Sequence, residues 1–204
     1  MKKKIKIVIF LVAVILVFFT GYKMYKSFNV STPKAKKIKK IDDIPEYGYY
    51  IDSNTTDYYK ELFSELKKIL SKDVINDDEY AKKVSQLFTA DLFTLSTKIT
   101  SSDIGGLQYV YNDFQDDFVA IAQSSLYMSV KSNVYGDREQ ELPEVTKVSI
   151  LDSKNDVFKI GDQNYDDAYY ITVEIEYKKD LGYPSKYNLV LIKRDNKIEV
   201  VKAN

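Results

Sequence analysis

The side chains that most often perform catalysis at neutral pH are missing from this sequence. Its 204 residues include no His and no Cys, so the usual general base and the most nucleophilic side chain are both absent. Hydrolases of the Ser-His-Asp or Cys-His type are therefore excluded in their usual forms, as are zinc sites with His or Cys ligands. Carboxylate and tyrosine chemistry remains, because the chain holds 30 acidic residues and 18 tyrosines.

Four aspartates are the candidates for acid–base chemistry with nearby tyrosines. They are Asp91, Asp103, Asp116 and Asp117. Their spacing does not single out a catalytic pair, and solvated acids on helix surfaces explain the same residues better. We therefore predict that the protein is not an enzyme and that it uses no cofactor.

A short acidic motif imitates the start of a calcium-binding loop. Asp162, Asn164 and Asp166 alternate as oxygen ligands do in an EF-hand. The sixth position is Asp167, where the EF-hand needs Gly, and the twelfth is Val173, where it needs Glu. We predict a polar hairpin tip here and no metal site.

Basic residues are concentrated before the acidic part of the chain. Residues 1–41 hold 11 Lys and no acidic residue, whereas residues 42–204 hold 19 basic and 30 acidic residues, a net charge of −11. Such a surface repels nucleic acid phosphates, so we predict no nucleic acid partner. Contact with a membrane or another polyanion is limited to one lysine cluster, for which a solvated linker is the alternative. The cluster consists of Lys34, Lys36, Lys37, Lys39 and Lys40.

An apolar run at residues 5–22 is long enough to be a membrane anchor for the rest of the chain. Twelve of the thirteen residues from 7 to 19 are Ile, Val, Leu or Phe, and a helix over residues 5–22 would rise about 27 Å, close to the thickness of a bilayer core. No small-residue cleavage pattern follows, which favours an uncleaved signal-anchor over a cleaved signal peptide. We predict a cell-membrane protein crossing the bilayer once with its N-terminus inside, although both flanks are basic.

Periodicity divides the remainder into a linker and one domain. Residues 1–26 are predicted to be a cytoplasmic stub and anchor, residues 27–46 a basic linker, and residues 47–204 an α+β domain outside the cytoplasm. Helical spacing predicts three helices, over residues 55–70, from Asn76 to the stretch 96–103, and from Asn112 to about residues 130–133. The expected buried stripe of the third helix is Phe114, Phe118, Ile121 and Ala122, and residues 107–111 before it are expected to be an extended link. Asn54 is the expected cap of the first helix, and Asn76 of the second.

After residue 145 the apolar residues no longer follow the helical spacing and instead occur at every second position, which is typical of strands. Residues 147–160 form one long bent strand or a hairpin, and alternation at residues 171–177 and 187–191 gives two more strands. An Asp195-Asn196 turn leads into the last. We expect three helices packed on a curved antiparallel sheet of about four strands.

This order of elements over residues 50–204 resembles the nuclear-transport-factor-2-like (cystatin-like) fold. With a preceding anchor, the layout is similar to that of the bridging subunits of bacterial type IV secretion and conjugation machines. The resemblance implies a cone formed by helices and a curved sheet. Isomerases of this fold imply an alternative, a pocket with an Asp base and a Tyr.

We accordingly predict a single-pass membrane protein whose non-catalytic domain binds an unidentified protein partner in the cell envelope. The alternative is a small-molecule-binding or isomerase-like pocket in the same fold. A weaker alternative reverses the topology and makes the domain a cytosolic adaptor.

Overall fold

The computed structural model describes residue 35 and residues 37–204. The predicted anchor and residues 27–34 and 36 of the predicted linker, which include Lys34 and Lys36, lie outside these residues. Among the helices that are described, none is both long enough and apolar enough to cross a membrane.

The fold begins within the predicted linker, because residues 40–52 form a hairpin. Strand β1 (Lys40–Ile44) pairs antiparallel with β2 (Tyr49–Asp52) through a 3-10 turn at Pro45–Tyr47. Tyr49 and Ile51 are buried in the core, so β2 packs on the domain with alternate side chains inside. Ile44 and Tyr47 are buried as well, so the hairpin packs on the domain from residue 44 onward.

The first two helices are α1 (Asp57–Leu70) and α2 (Asp77–Phe93), and they pack against each other. Asn76 caps α2 as predicted, accepting a hydrogen bond from the Glu79 amide at 3.1 Å. The predicted cap of α1 was wrong, because Thr56 accepts the Tyr59 amide at 3.2 Å while Asn54 donates to the Thr97 carbonyl.

The third helix, α3 (Gln115–Ser124), is shorter than its sequence pattern indicates. The residues before it, expected to be extended, form 3-10 turns at Leu107–Tyr109 and Asn112–Phe114. Gln115 donates to the Asn112 side chain at 3.2 Å and to the Val110 carbonyl at 3.1 Å. These bonds hold the turns in place ahead of the helix.

Four antiparallel strands form one sheet in the order β3-β4-β5-β6. They are β3 (Val145–Ile160), β4 (Gln163–Tyr177), β5 (Lys186–Arg194) and β6 (Lys197–Ala203). The two alternatives for residues 147–160 are resolved in favour of one long strand, which is interrupted by three register shifts. The Asp162 motif lies at the β3–β4 hairpin tip, and within residues 35 and 37–204 no cluster of acidic side chains is arranged to hold a metal ion. The α+β class and the four-stranded curved sheet are confirmed.

The main core lies between α2 and one face of the sheet. Helix α2 contacts β3, β4 and β6, and at the edge strand both backbone groups of Val148 bond to helix side chains. The Tyr58 hydroxyl accepts the Val148 amide at 2.7 Å, and Gln86 donates to the Val148 carbonyl at 2.7 Å. The opposite sheet face carries a smaller buried cluster of Tyr111, Ala168, Val190 and Ile192.

Candidate functional site

A polar pocket of about 130 Å³ lies between the β2 end of the hairpin and the loop after α2. Its lining includes Asp91 and Asp103 together with Tyr59 and Lys98. The fold therefore brings together two of the four aspartates considered for acid–base chemistry. The other two, Asp116 and Asp117, are exposed on α3.

Lys98 and Asp91 form a buried ion pair in this pocket. The lysine side chain is only 8% exposed, and its Nζ lies 2.5 Å from Asp91 Oδ1. The other carboxylate oxygen of Asp91 accepts the Gly106 amide at 2.7 Å. Burial lowers the pKa of the Lys98 ammonium, but Asp91, Tyr127 and Asp103 raise it by more, so the net shift is upward. Lys98 is therefore a cation at neutral pH.

The remaining polar groups hold the loop after α2 in one conformation. Asp103 Oδ2 accepts the Ile99 amide at 3.1 Å, and the Tyr127 hydroxyl accepts the Gly105 amide at 2.9 Å while donating to the Leu92 carbonyl at 2.8 Å. A Cβ at Gly105 would overlap the Asp91 carbonyl group. The loop can approach α2 this closely only because residue 105 has no side chain.

Two pairs of buried tyrosine hydroxyls extend this network towards the β1–β2 hairpin. The Tyr59 and Tyr109 hydroxyl oxygens are 2.8 Å apart, and those of Tyr49 and Tyr80 are 2.7 Å apart. Burial raises the pKa of all four phenols above the usual value. The phenols are therefore neutral hydrogen-bonding groups at physiological pH.

The polar pocket thus has the properties of a structural network. Each charged group that faces it is bonded to a neighbour from the same network, and the pocket is too small for most organic ligands. The arrangement fixes the loop after α2 and holds the hairpin on the domain.

A larger apolar depression lies between α3 and the edge strand β6, and we call it the α3 groove. Its volume is about 330 Å³. Most of its lining is apolar and comes from α2, α3 and β6, with the charged Asp117 and Lys202 also among the lining residues. The apolar residues are Phe88, Leu92, Val110, Phe114, Phe118, Ile121, Ala122, Leu126, Tyr187, Val200, Val201 and Ala203.

The groove is open because α3 does not bury its apolar stripe. The pattern predicted Phe114, Phe118, Ile121 and Ala122 as core, but only Ala122 is buried. Phe118 stands half-buried with its ring centroid 5.7 Å from that of Phe88, and Ile121 is 65% exposed. The stripe therefore forms one wall of the groove and leaves an apolar surface in contact with water.

The surroundings of the groove are acidic. Residues 99–130 contain four aspartates and no Lys or Arg, and Asp113, Asp116 and Asp117 are exposed at the start of α3. Lys202 on β6 is the basic residue of the lining. An apolar segment with basic residues beside it would complement this surface.

The lysines predicted to contact polyanions lie on a different element. Lys37, Lys39 and Lys40 are exposed at the start of the β1–β2 hairpin, whereas Lys34 and Lys36 are outside the described residues. Sequence reasoning missed the α3 groove as a site, since the helical period that identifies an apolar stripe does not tell whether another element covers it.

No family model, no curated protein and no solved structure gives a significant match to this chain. The nuclear-transport-factor-2-like resemblance stays a prediction.

Proposed function

We propose that the chain is a single-pass membrane protein whose C-terminal domain lies outside the cytoplasm and binds a protein partner of the cell envelope through the α3 groove. The observation that carries this proposal is the uncovered apolar stripe of α3. Half-exposed aromatic residues in a concave, mostly apolar setting are typical of protein-binding anchors. The partner segment is apolar and is flanked by basic residues.

A non-catalytic role is supported by the bonding of the polar groups. Asp91 and Asp103, the two candidate acids that share a pocket, use carboxylate oxygens to hold backbone amides of the neighbouring loop. A general base needs a free oxygen within reach of a substrate proton, and both oxygens of Asp91 are already bonded, one to Lys98 and one to the Gly106 amide. The exposed Asp116 and Asp117 have no tyrosine hydroxyl bonded to them among the hydrogen bonds of residues 37–204.

Replacing Ile121 by Asp is expected to weaken partner binding by about tenfold or more, because it places a charge at the apolar mouth of the groove. Ile121 is 65% exposed, so the fold should be preserved. Native electrophoresis of membranes solubilised in mild detergent would show wild-type chain in a complex and the variant at its own size.

The matched control is Val74→Asp, at an apolar residue that is 84% exposed in the turn between α1 and α2. It makes the same chemical change at a site away from the groove lining and should leave the complex intact. Wild-type chain migrating alone, or equal behaviour of the two variants, would overturn the proposed role of the groove.

A second candidate function is the binding of a small apolar molecule, which the cavity volume favours. About 330 Å³ lies at the lower end of the range found for ligand pockets. Ala122→Phe would fill this space from a position that is buried in the groove wall. Native mass spectrometry of wild-type chain should then show an added small mass that the variant lacks, whereas the unliganded mass in both proteins would reject this candidate.

A further inference from the structure

A second surface, away from the α3 groove lining, combines exposed basic and apolar side chains. It consists of Lys37, Ile38, Lys39, Lys40, Ile41 and Tyr50, and we call it the hairpin patch. Ile38, Ile41 and Tyr50 are 41%, 51% and 49% exposed, and the Lys40 ammonium lies 5.9 Å from the centre of the Tyr50 ring. Basic side chains interleaved with exposed apolar ones are suited to a bilayer surface, where both kinds of group find a partner.

Two of the three lysines of the patch carry a charge that is not paired within the described residues. Lys37 and Lys39 form no ion pair with any residue of the part of the chain that is described, while Lys40 pairs with Asp43. The neighbouring Asp42 is neutralised from α1, because Lys67 Nζ lies 2.6 Å from its carboxylate. Lys37 and Lys39 are therefore the lysines of the patch whose charge is available to an anionic partner, while the nearby Asp42 and Asp43 are each paired with a lysine.

This patch stands out against the rest of the domain. Residues 37–204 carry 22 basic and 30 acidic residues, a net charge of −8, which repels an anionic surface from most directions. The face that carries the patch is the one that we expect to approach such a surface. Electrostatics would thus select one orientation of the domain.

The connection to the predicted anchor allows this contact but does not force it. Fourteen residues, 23–36, separate the predicted span from Lys37, and a chain of that length reaches at most about 50 Å. A tethered domain could remain well away from the membrane. If the hairpin is found close to the lipid headgroups, its position is therefore evidence for contact by the hairpin patch and is not a consequence of the tether.

We propose that the hairpin patch docks the domain against a bilayer containing anionic lipid. Lys37, Lys39 and Lys40 contact the headgroups, and Ile38, Ile41 and Tyr50 enter the interface. The proposal rests on the anchor of the proposed function but is independent of the α3 groove.

The test uses the full chain in vesicles of phosphatidylcholine with or without phosphatidylglycerol. Because the chain has no Cys, Glu46→Cys supplies a single fluorophore site on the exposed turn of the hairpin. Quenching by nitroxide-labelled headgroups measures how close the hairpin lies to the bilayer. Flotation of the vesicles after alkaline washing checks insertion of the anchor separately, so failed insertion is distinguishable from failed docking.

Quenching should be strong with phosphatidylglycerol, and weak with phosphatidylcholine alone or at high salt. The triple variant Lys37→Gln, Lys39→Gln, Lys40→Gln should shift the ratio of docked to undocked domain by roughly fivefold for each lysine removed. The control triple variant Lys68→Gln, Lys131→Gln, Lys159→Gln changes net charge equally on other elements. It should dock as wild type does.

Equal quenching in neutral and anionic vesicles would overturn docking, as would equal effects of the two triple variants. Binding of soluble polyphosphate without quenching in anionic vesicles would also overturn it, because the patch would then recognise a polyanionic polymer and not a membrane.

Discussion

Raising the pH from 9 to 11 is expected to unfold the domain. Burial raises the pKa of five phenols that are almost completely inaccessible in the fold. They are Tyr49, Tyr59, Tyr80, Tyr109 and Tyr127. The folded state therefore holds these protons more tightly than the unfolded chain, in which tyrosine ionises near pH 10.

The sign of the effect follows from this difference. Below about pH 10 both states keep the phenol protons, and the stability is at its full value. Above that pH the unfolded chain releases protons that the folded domain retains, so each buried phenol lowers the free energy of unfolding by about 1.4 kcal/mol per pH unit. Five phenols amount to about 7 kcal/mol per pH unit, comparable to the whole stability of a typical domain.

Circular dichroism and tyrosinate absorbance would be recorded together on the full chain in detergent. We expect the five buried phenols to ionise only as the circular dichroism signal is lost. Return to neutral pH should restore both signals. Ionisation of all phenols around pH 10 with an unchanged dichroism spectrum would contradict the buried hydroxyl network.

Replacing Lys98 by Met is expected to destabilise the domain by about 3 kcal/mol, because it leaves the Asp91 carboxylate without its cation in a partly dry pocket. The Asp91 side chain remains 26% exposed and keeps its hydrogen bond from the Gly106 amide. The expected loss in the free energy of unfolding is therefore near the lower end of the range for a broken buried ion pair. Urea unfolding followed by circular dichroism measures the change.

Lys147→Met serves as the control, because it breaks a pair with Glu176 in which both side chains are more than half exposed. Water already screens that pair, so its loss should change the free energy of unfolding little. Similar losses in the two variants would show that the Lys98–Asp91 pair does not hold the loop after α2.

The parts of the fold that the sequence predicted correctly depend on local signals. Asn76 with Glu79 three residues later predicted the start of α2, and the apolar spacing that follows predicted its buried face. The Asp195-Asn196 turn between β5 and β6 was predicted in the same way, and Asp195 adopts the left-handed conformation (φ 54°) that such turns require.

The parts that were missed depend on contacts between distant residues. Thr56 and Asn54 are both good caps by type, and the choice was made by the Thr97 carbonyl, which engages Asn54. The buried face of α1 is otherwise the one that the apolar spacing indicates, since Leu62, Phe63, Leu66 and Leu70 are buried; Tyr59 is buried with them, while Tyr58 lies only partly inside.

Strand β1 and the two candidate sites also depend on contacts between distant residues, which a local sequence pattern does not predict. Lysine-rich composition indicated a linker, but pairing with β2 and the burial of Ile44 make residues 40–44 a strand. The polar pocket joins Asp91 to Lys98 and Gly106 through a loop whose shape no local pattern encodes. The α3 groove depends on how far β6 lies from α3, which is a property of the assembled fold.

The most direct test of the central claim is photocrosslinking from the α3 groove in intact cells. Benzoylphenylalanine would replace Phe118 in the full chain, with the exposed Val74 as the control position. We predict an adduct with a different protein from position 118, its loss when Ile121→Asp is added, and no such adduct from position 74. No adduct from position 118, an adduct only with a second copy of this chain, or the same adduct from both positions would contradict the account.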